Sequence, residues 1–476
     1  MLKRKIASEI EARLRSHSRK MLIVEGAKGI GKTFVIRGIG KRLFRNFIEV
    51  NMAEDRRSDR LFAEIGTVKD FYLALSAVAG ERMKGRDETL VFIDEIEAYP
   101  QLLTLVKFLV ADDRFTYIAS GSGLRDALLE TQSIPGGSIE RVRMYPLDFE
   151  EFLWANGVGE LAIDAIRDGF FGRKALPEAI HAKILDLFRK YLLVGGFPKC
   201  VDIFVREMNI AKVREAQEEI RALYRDAAAG YSKEGRRKLR TLAIYDQIPS
   251  FLGKKKKRVV AEAIEGRKGA RMAWYGDELG YLASTGVALP VKAADAPGFS
   301  LERNSGKNLQ KLYLNDVGLF TGMLYGNDIR PVLRGEKSAS LGAAYESAVA
   351  EELTAHGLRP FYYDNKQHGE VDFLIDDYDT QSALPLEVKS GKDYRIHSAL
   401  DHFLKVPGYR IRKAFVLSNE RRIFTEGGIT YIPIYDVMFL GEGMEFQRAV
   451  PQEDVGRGTV PAASAQGPAP SDAVSD

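Results

Sequence analysis

The stretch Gly26-Ala27-Lys28-Gly29-Ile30-Gly31-Lys32-Thr33 reads G-x-x-x-x-G-K-T, and it constrains the fold more than any other part of the chain. The apolar run Met21-Leu22-Ile23-Val24 precedes it as a buried strand would, and Phe34-Val35-Ile36 follows as the first turn of a helix would. Between strand and helix, the glycines let backbone N–H groups wrap an anion, and the helix adds its positive N-terminal end. This is a P-loop. Lys32 is expected to reach the β- and γ-phosphates of ATP, and Thr33 to hold Mg²⁺ through its hydroxyl. The alternative is a glycine-rich turn that binds nothing.

A P-loop needs a second strand that carries acids. Thr89-Leu90-Val91-Phe92-Ile93-Asp94-Glu95 is an apolar run ending in two carboxylates, a Walker B pattern. Asp94 is expected to hold Mg²⁺, and Glu95 to orient and polarise the attacking water as a catalytic group beside Lys32. A further strand ends in Ser120-Gly121-Ser122, where Ser120 or Ser122 suits a polar sensor of the γ-phosphate or else caps the next helix. A helix is expected over Ile6–His17, a strand at Phe47–Asn51 and helices over Arg56–Arg86. This alternation predicts an α/β fold, a parallel sheet covered on both faces with ligand at the carboxyl ends of its strands.

Taken together, these motifs resemble a prokaryotic AAA-type ATPase. Met144-Tyr145-Pro146-Leu147-Asp148-Phe149-Glu150-Glu151-Phe152-Leu153 is similar to a signature of one branch, in which the ATPase is fused to a C-terminal domain of unknown function. Gly195-Gly196-Phe197-Pro198 and Lys311-Leu312-Tyr313-Leu314-Asn315-Asp316-Val317-Gly318-Leu319 match the same branch. Where relatives carry a Gly-Arg pair, this chain has Ser138-Ile139-Glu140-Arg141-Val142-Arg143, so Arg141 and Arg143 become candidates for an arginine finger. A solvated or sheet-edge arginine is the competing reading of each. The resemblance also implies a homo-oligomer.

The chain has 476 residues, enough for about three domains. It has no apolar run long enough for a transmembrane helix. Cys200 is the single cysteine, which excludes an intrachain disulfide and fits a cytoplasmic protein. The six histidines show no zinc-ligand spacing. The net charge of +4 conceals a local excess. From Lys233 to Arg258, ten Lys/Arg face only Glu234 and Asp246, a net +8 that leaves −4 for the rest. Such a stripe suits a phosphate backbone, so DNA is the partner expected for this middle segment. Helices expected at Val259–Glu265 and Trp274–Ser284, then a turn and strand at Gly286–Val291, outline a winged-helix module. A solvated basic face with a linker role is the alternative.

Beyond it, a helix over Leu341–Ala355 carries Glu346. Expected strands follow at Arg359–Tyr363, Gly369–Ile375, Leu384–Ser390 and Lys413–Leu417. Asp372 with Glu387-Val388-Lys389 on adjacent strands resembles the restriction-endonuclease-like fold. Two-residue spacing places Glu387 and Lys389 on one face. Glu346, Asp372 and Glu387 are then candidate ligands of Mg²⁺ or Mn²⁺, and Lys389 a candidate catalytic group that positions the attacking water. A cross-strand ion pair is the alternative for Glu387 and Lys389.

The expected organisation is an ATPase core at 1–155, a helical segment at 156–232, a basic winged-helix-like module at 233–310, a restriction-endonuclease-like α/β domain at 311–446, and a disordered tail at 447–476 poor in large apolar residues. The function expected is an Mg²⁺-dependent ATPase coupled to a nuclease-like domain. The alternative is a nucleotide-switched binding protein whose nuclease-like domain is silent.

Overall fold

The structure, a computed structural model, describes residues 2–124, 127, 136–230, 234–254, 257–306, 309–336 and 338–442. The tail expected at 447–476, and Lys233, Lys255 and Lys256 of the basic run, lie outside the described residues.

The first layer holds helices α1 (Lys5–Arg15), α2 (Lys32–Leu43), α3 (Met52–Arg57), α4 (Val68–Ala79) and α5 (Gln101–Asp112) around strands β1 (Met21–Glu25), β2 (Asn46–Asn51), β3 (Thr89–Asp94), β4 (Thr116–Gly121) and β5 (Ile139–Arg143). All pairings are parallel, in the order β2-β3-β4-β1-β5. Both faces are covered, so the interior strands β1, β3 and β4 are buried on both sides. Leu22 and Val24 of β1 join one core with Leu90 and Phe92, while Met21 and Ile23 join the opposite core with Val91 and Ile93. This period of two follows from the pleat. Because β4 lies between β1 and β3, its last residues sit between the P-loop and the Walker B acids.

A helical middle follows: α6 (Phe149–Ala155), α7 (Glu160–Gly172), α8 (Glu178–Val194), α9 (Pro198–Glu207), α10 (Ile210–Gly230) and α11 (Gly235–Leu252). Next come α12 (Ala261–Glu265), α13 (Gly276–Ser284) and the hairpin of β6 (Ala288–Ala294) with β7 (Gln310–Leu314). This hairpin is not a separate wing. β6 also pairs in parallel with β8 (Phe361–Asn365), so the hairpin forms one edge of the C-terminal sheet. The sheet hydrogen bonds of β6 and β7 thus continue across the boundary expected between residues 310 and 311, which itself falls inside β7.

The rest comprises α14 (Val317–Tyr325), α15 (Arg330–Arg334), α16 (Ala339–Ala355), β9 (Gly369–Asp377), β10 (Ser382–Val388), α17 (Ser398–Leu404), β11 (Ala414–Ser418), β12 (Phe424–Glu426) and β13 (Ile429–Pro433). The mixed eight-stranded sheet runs β12-β13-β11-β10-β9-β8-β6-β7. One apolar core joins the first layer to this sheet. At its centre Phe149 of α6 meets Phe188 of α8 at 5.2 Å between rings, and Phe188 meets Tyr345 of α16 at 5.5 Å, both edge to face. Each such pair adds about 0.5–1.5 kcal/mol beyond its buried area. The Pro-Leu-Asp-Phe segment is therefore part of the seam between the two ends of the chain.

Candidate nucleotide site and carboxylate–lysine cluster

The P-loop leaves the carboxyl end of the interior strand β1 and enters α2. Gly29 (φ 82°) and Gly31 (φ 94°) adopt positive φ, which side chains with a Cβ resist. Lys32 is buried, and its Nζ donates to the carbonyls of Gly26 (2.8 Å) and Ala27 (2.9 Å). Burial pulls its pKa down to about 8, with Glu97, then Asp94 and Glu95, acting in the opposite direction.

Asp94 is the point of convergence. Thr33 Oγ1 donates to its two oxygens at 3.1 and 3.0 Å, Asn51 Nδ2 donates at 3.2 Å, and Ser120 Oγ donates to Oδ1. A hydroxyl and a carboxylate in contact behind a phosphate-binding loop are hard oxygen donors of the type Mg²⁺ takes. Glu95, next in sequence, has φ 52°, is half-buried, and lies 3.8 Å from Lys28 Nζ. The two sensor candidates part company: Ser120 touches Asp94, whereas Ser122 donates through N (2.9 Å) and Oγ (2.8 Å) to Glu97 Oε1.

Glu97 escaped the sequence reading. It sits on a short 3-10 turn after β3, its Oε2 is buried with no hydrogen-bond partner among the described residues, and burial raises its pKa. The acidic spacing Asp94-Glu95-x-Glu97 was the available signal. Arg4 also escaped. Its Nη1 donates to Ile30 O (3.0 Å), its Nη2 to Tyr145 O (2.6 Å) and its Nε to Glu151 Oε2 (3.1 Å), which ties the P-loop to the Pro-Leu segment. No local pattern marked it.

Both arginine-finger candidates are engaged within the chain. Arg141 lies on edge strand β5 with its Nε 3.4 Å from Glu25, and Arg143 Nη2 donates to Ala283 O at 3.1 Å.

The branch signatures meet beside the P-loop. A Cβ on Gly29 would touch the Phe197 ring at 3.7 Å, and one on Gly31 would touch Pro198 at 3.4 Å. Tyr224 OH donates to Lys28 O (3.1 Å). The Gly195–Pro198 turn is held from two sides. Leu147 N donates to Gly196 O at 2.7 Å, and Gly196 N donates to Asp316 Oδ2 at 2.6 Å. Asp316 caps α14 through Leu319 N (2.9 Å), and its burial lifts its pKa to about 6.

At the C-terminal sheet the predicted acids come together. Asp372 on β9 and Glu387 on β10 lie on antiparallel neighbours, and Val388 N donates to Asp372 Oδ2 at 2.9 Å. Lys389 Nζ donates to Glu387 Oε1 at 2.8 Å. Burial, and after it the Asp372 charge, raises Glu387 to about 8, and the same two causes raise Glu346. Lys257, a member of the basic run, bonds Glu346 and stands 3.9 Å from Asp372. The fully buried Lys311 pairs with Glu370 (2.6 Å) and lies 3.9 Å from Glu346. Glu346, Asp372 and Glu387 do not bring three ligand atoms within 4.8 Å of one another. Most of the described cations of the basic run have acidic partners. Arg236 and Arg240 pair with Glu265, Arg237 with Glu234 and Asp277, and Arg258 with Asp364. Among the described residues no helix is long and apolar enough to cross a membrane.

Residues 18–153 match a family described as an AAA domain. Residues 185–329 and 341–437 match two domains of unknown function, DUF8612 and DUF4143. No curated protein matches the chain. Among solved structures the chain is similar to a Walker-type ATPase of Pyrococcus abyssi, at 15% identity over 68% of this chain and 96% of that one, with a TM-score of 0.43. It is also similar to the Orc1 protein of Aeropyrum pernix in complex with DNA, at 13% identity over 68% and 91% of the two chains, with a TM-score of 0.27. The AAA match and the parallel sheet with its P-loop identify the N-terminal part as a P-loop ATPase domain, joined to C-terminal regions whose families carry no assigned function.

Proposed function

We propose that the chain is an Mg²⁺-dependent ATPase whose nucleotide state is relayed to the C-terminal sheet. The observation that carries the reading is the convergence of Thr33, Asn51 and Ser120 on Asp94, facing the P-loop that carries Lys32. Thr33 and Asp94 would hold Mg²⁺, which supplies charge neutralisation on the phosphates. Lys32 would bind the β- and γ-phosphates, exchanging its loop carbonyl partners for phosphate oxygens. Glu95 would accept a proton from, and aim, the attacking water. Ser120, held on Asp94, would report the γ-phosphate. The relay would run from Gly29 and Gly31 through Phe197 and Pro198 to Asp316 and α14. Arg141 or Arg143 would have to leave its partner within the chain to serve as an arginine finger, in cis or on a neighbouring copy.

ATP turnover of wild type and of Glu95→Gln tests the enzyme reading. Nucleotide affinity should stay within a fewfold of wild type while turnover falls by about 10²–10⁴, the usual scale for a lost general base. Equal turnover in the two proteins removes Glu95 from the chemistry.

For the C-terminal cluster, a nucleotide-switched, catalytically silent binding domain is favoured over a nuclease. Lys257 Nζ stands between Glu346 and Asp372, where a divalent cation would need to be. The DNA-binding reading of the basic run weakens for the same reason, since its described cations are mostly paired with acids. Single- and double-stranded DNA incubated with Mg²⁺ or Mn²⁺ should remain intact with wild type, with Asp372→Ala and with Lys257→Ala. Cleavage by wild type that disappears in Asp372→Ala restores the nuclease reading. Cleavage by Lys257→Ala alone identifies Lys257 as a plug in a working metal site.

A further inference from the structure

The six histidines are scattered in sequence, yet the fold gathers one of them with two carboxylates 200 residues apart. Asp148 is the N-cap of α6, at the end of the ATPase domain. Glu352 and His356 lie on α16 and in the residue that caps it, one turn apart and therefore on one face. His356 Nε2 stands 3.5 Å from Asp148 Oδ2 and 3.6 Å from Glu352 Oε2. Ligand atoms of the three residues all lie within 4.8 Å of one another, the one such group among the described residues.

The first separation is at the outer limit of a hydrogen bond and the second beyond it, and the atoms are buried. Glu352 is fully buried, and among the described residues neither its Oε2 nor His356 Nε2 has a hydrogen-bond partner of ordinary geometry. Two facing atoms of this kind are costly unless something lies between them. For an ion with ligands at about 2.0–2.1 Å in tetrahedral array, neighbouring ligand atoms stand about 3.3 Å apart. The observed 3.5 and 3.6 Å are close to that edge.

Each remaining ligand atom is oriented from outside the cluster. His356 Nδ1 faces the carbonyl of Leu440 at 3.3 Å, so Nδ1 carries a proton and Nε2 is the nitrogen that a metal would take in exchange for a proton. Glu352 Oε1 accepts from Phe149 N at 2.6 Å, and Asp148 Oδ1 accepts from Glu151 N at 2.8 Å. Metal-ligating histidines and carboxylates are held in this manner. Lys5 Nζ bonds Asp148 Oδ2 at 2.7 Å and lies 2.6 Å from Glu150, so it leaves the second lone pair of Oδ2 for a ligand bond and offsets one carboxylate charge. A small cavity lined by Tyr145, Asp148, Tyr191, Glu351 and Glu352 adjoins the cluster and has room for about one water, which would complete a four-coordinate sphere.

We propose that Asp148, Glu352 and His356 form a site for a divalent transition metal of the zinc type, which staples the end of the ATPase domain to α16 of the C-terminal domain. Imidazole with carboxylate oxygens is a donor set that suits Zn²⁺. The site is independent of the P-loop and of the carboxylate–lysine cluster, and it does not depend on either of those having the function proposed above.

The test uses the full-length protein, treated with a chelator and titrated with Zn²⁺ without nucleotide. Wild type should take up one tight equivalent, and Co²⁺ in its place should give the intense visible bands of a four-coordinate centre. Glu352→Gln, nearly the same shape, and His356→Gln should each weaken Zn²⁺ binding by at least about tenfold. A readout that needs no variant is amide hydrogen exchange of wild type. Zn²⁺ should slow exchange in peptides covering 148–152 and 352–358. Absence of Zn²⁺ uptake by wild type, uptake unchanged in both variants, or exchange unaltered in those peptides each overturns the proposal, and leaves a protonated His356 between two carboxylates.

Discussion

Lys32→Ala should bind ATP poorly and hydrolyse it at least about 10²–10³ times more slowly than wild type, the scale on which a single pre-aimed charge donor acts in a transition state. Lys32 Nζ is the cation that the P-loop carries at its core, buried and donating to the Gly26 and Ala27 carbonyls. Truncation removes the charge and leaves those carbonyls without that donor, so far-UV circular dichroism should first establish that the variant folds. The pH dependence separates the loss of charge from a general loss of shape. Burial holds the Lys32 ammonium down to about 8, against the opposing pull of Glu97, Asp94 and Glu95. Bound phosphates favour the charged form. Below pH 8 Lys32 is already protonated, and ATP binding through it is independent of pH. Above pH 8 binding must take up a proton, so affinity should fall by up to about tenfold per unit. That slope should be absent in Lys32→Ala. Wild-type turnover by the variant, or a slope that persists in it, means that Lys32 does not contact the phosphates.

The parts of this site legible in the sequence are those whose partners are neighbours in the chain. The P-loop is eight consecutive residues, and Asp94 follows directly from an apolar run, so strand, loop and acid are visible together. The alternation that sends Leu22 and Val24 to one core and Met21 and Ile23 to the other is equally local. What stayed hidden depends on contacts far along the chain. Arg4 acts on Tyr145, and Asp316 acts on Gly196; neither residue differs in its own surroundings from an ordinary surface charge or helix cap. The surroundings of the basic run were hidden for the same reason. Its charge is real in sequence, but Glu265, Asp277, Glu346 and Asp364 arrive from other elements and pair with its described members Arg236, Arg237, Arg240, Lys257 and Arg258. The hairpin of β6 and β7 looked like a wing because the strand that completes its hydrogen bonds, β8, comes some fifty residues after β7.

Gly196→Ala should be among the most damaging single-atom additions to the chain. A Cβ there would lie 2.1 Å from Leu147 O and 2.7 Å from Leu147 N. Both are backbone atoms, so no rotamer change relieves the clash, and the turn must move by about an ångström to reach ordinary contact. That movement breaks the 2.7 Å bond from Leu147 N to Gly196 O and strains the 2.6 Å bond from Gly196 N to Asp316. Overpacking and two buried hydrogen bonds together imply a loss on the order of 3 kcal/mol or more. Because Phe197 and Pro198 flank Gly29 and Gly31, the same displacement should weaken ATP binding at a site the new methyl never touches. Gly280→Ala is the matched control. It lies within α13 with nothing within 4 Å of the added carbon, and the higher helix propensity of alanine should leave the protein unchanged or slightly more stable. Urea unfolding and ATP affinity, measured on both variants, decide the matter. A Gly196→Ala protein as stable as Gly280→Ala would show that the turn is free to shift. A destabilised protein with wild-type ATP affinity would show that the turn holds the fold together without conveying anything from the nucleotide.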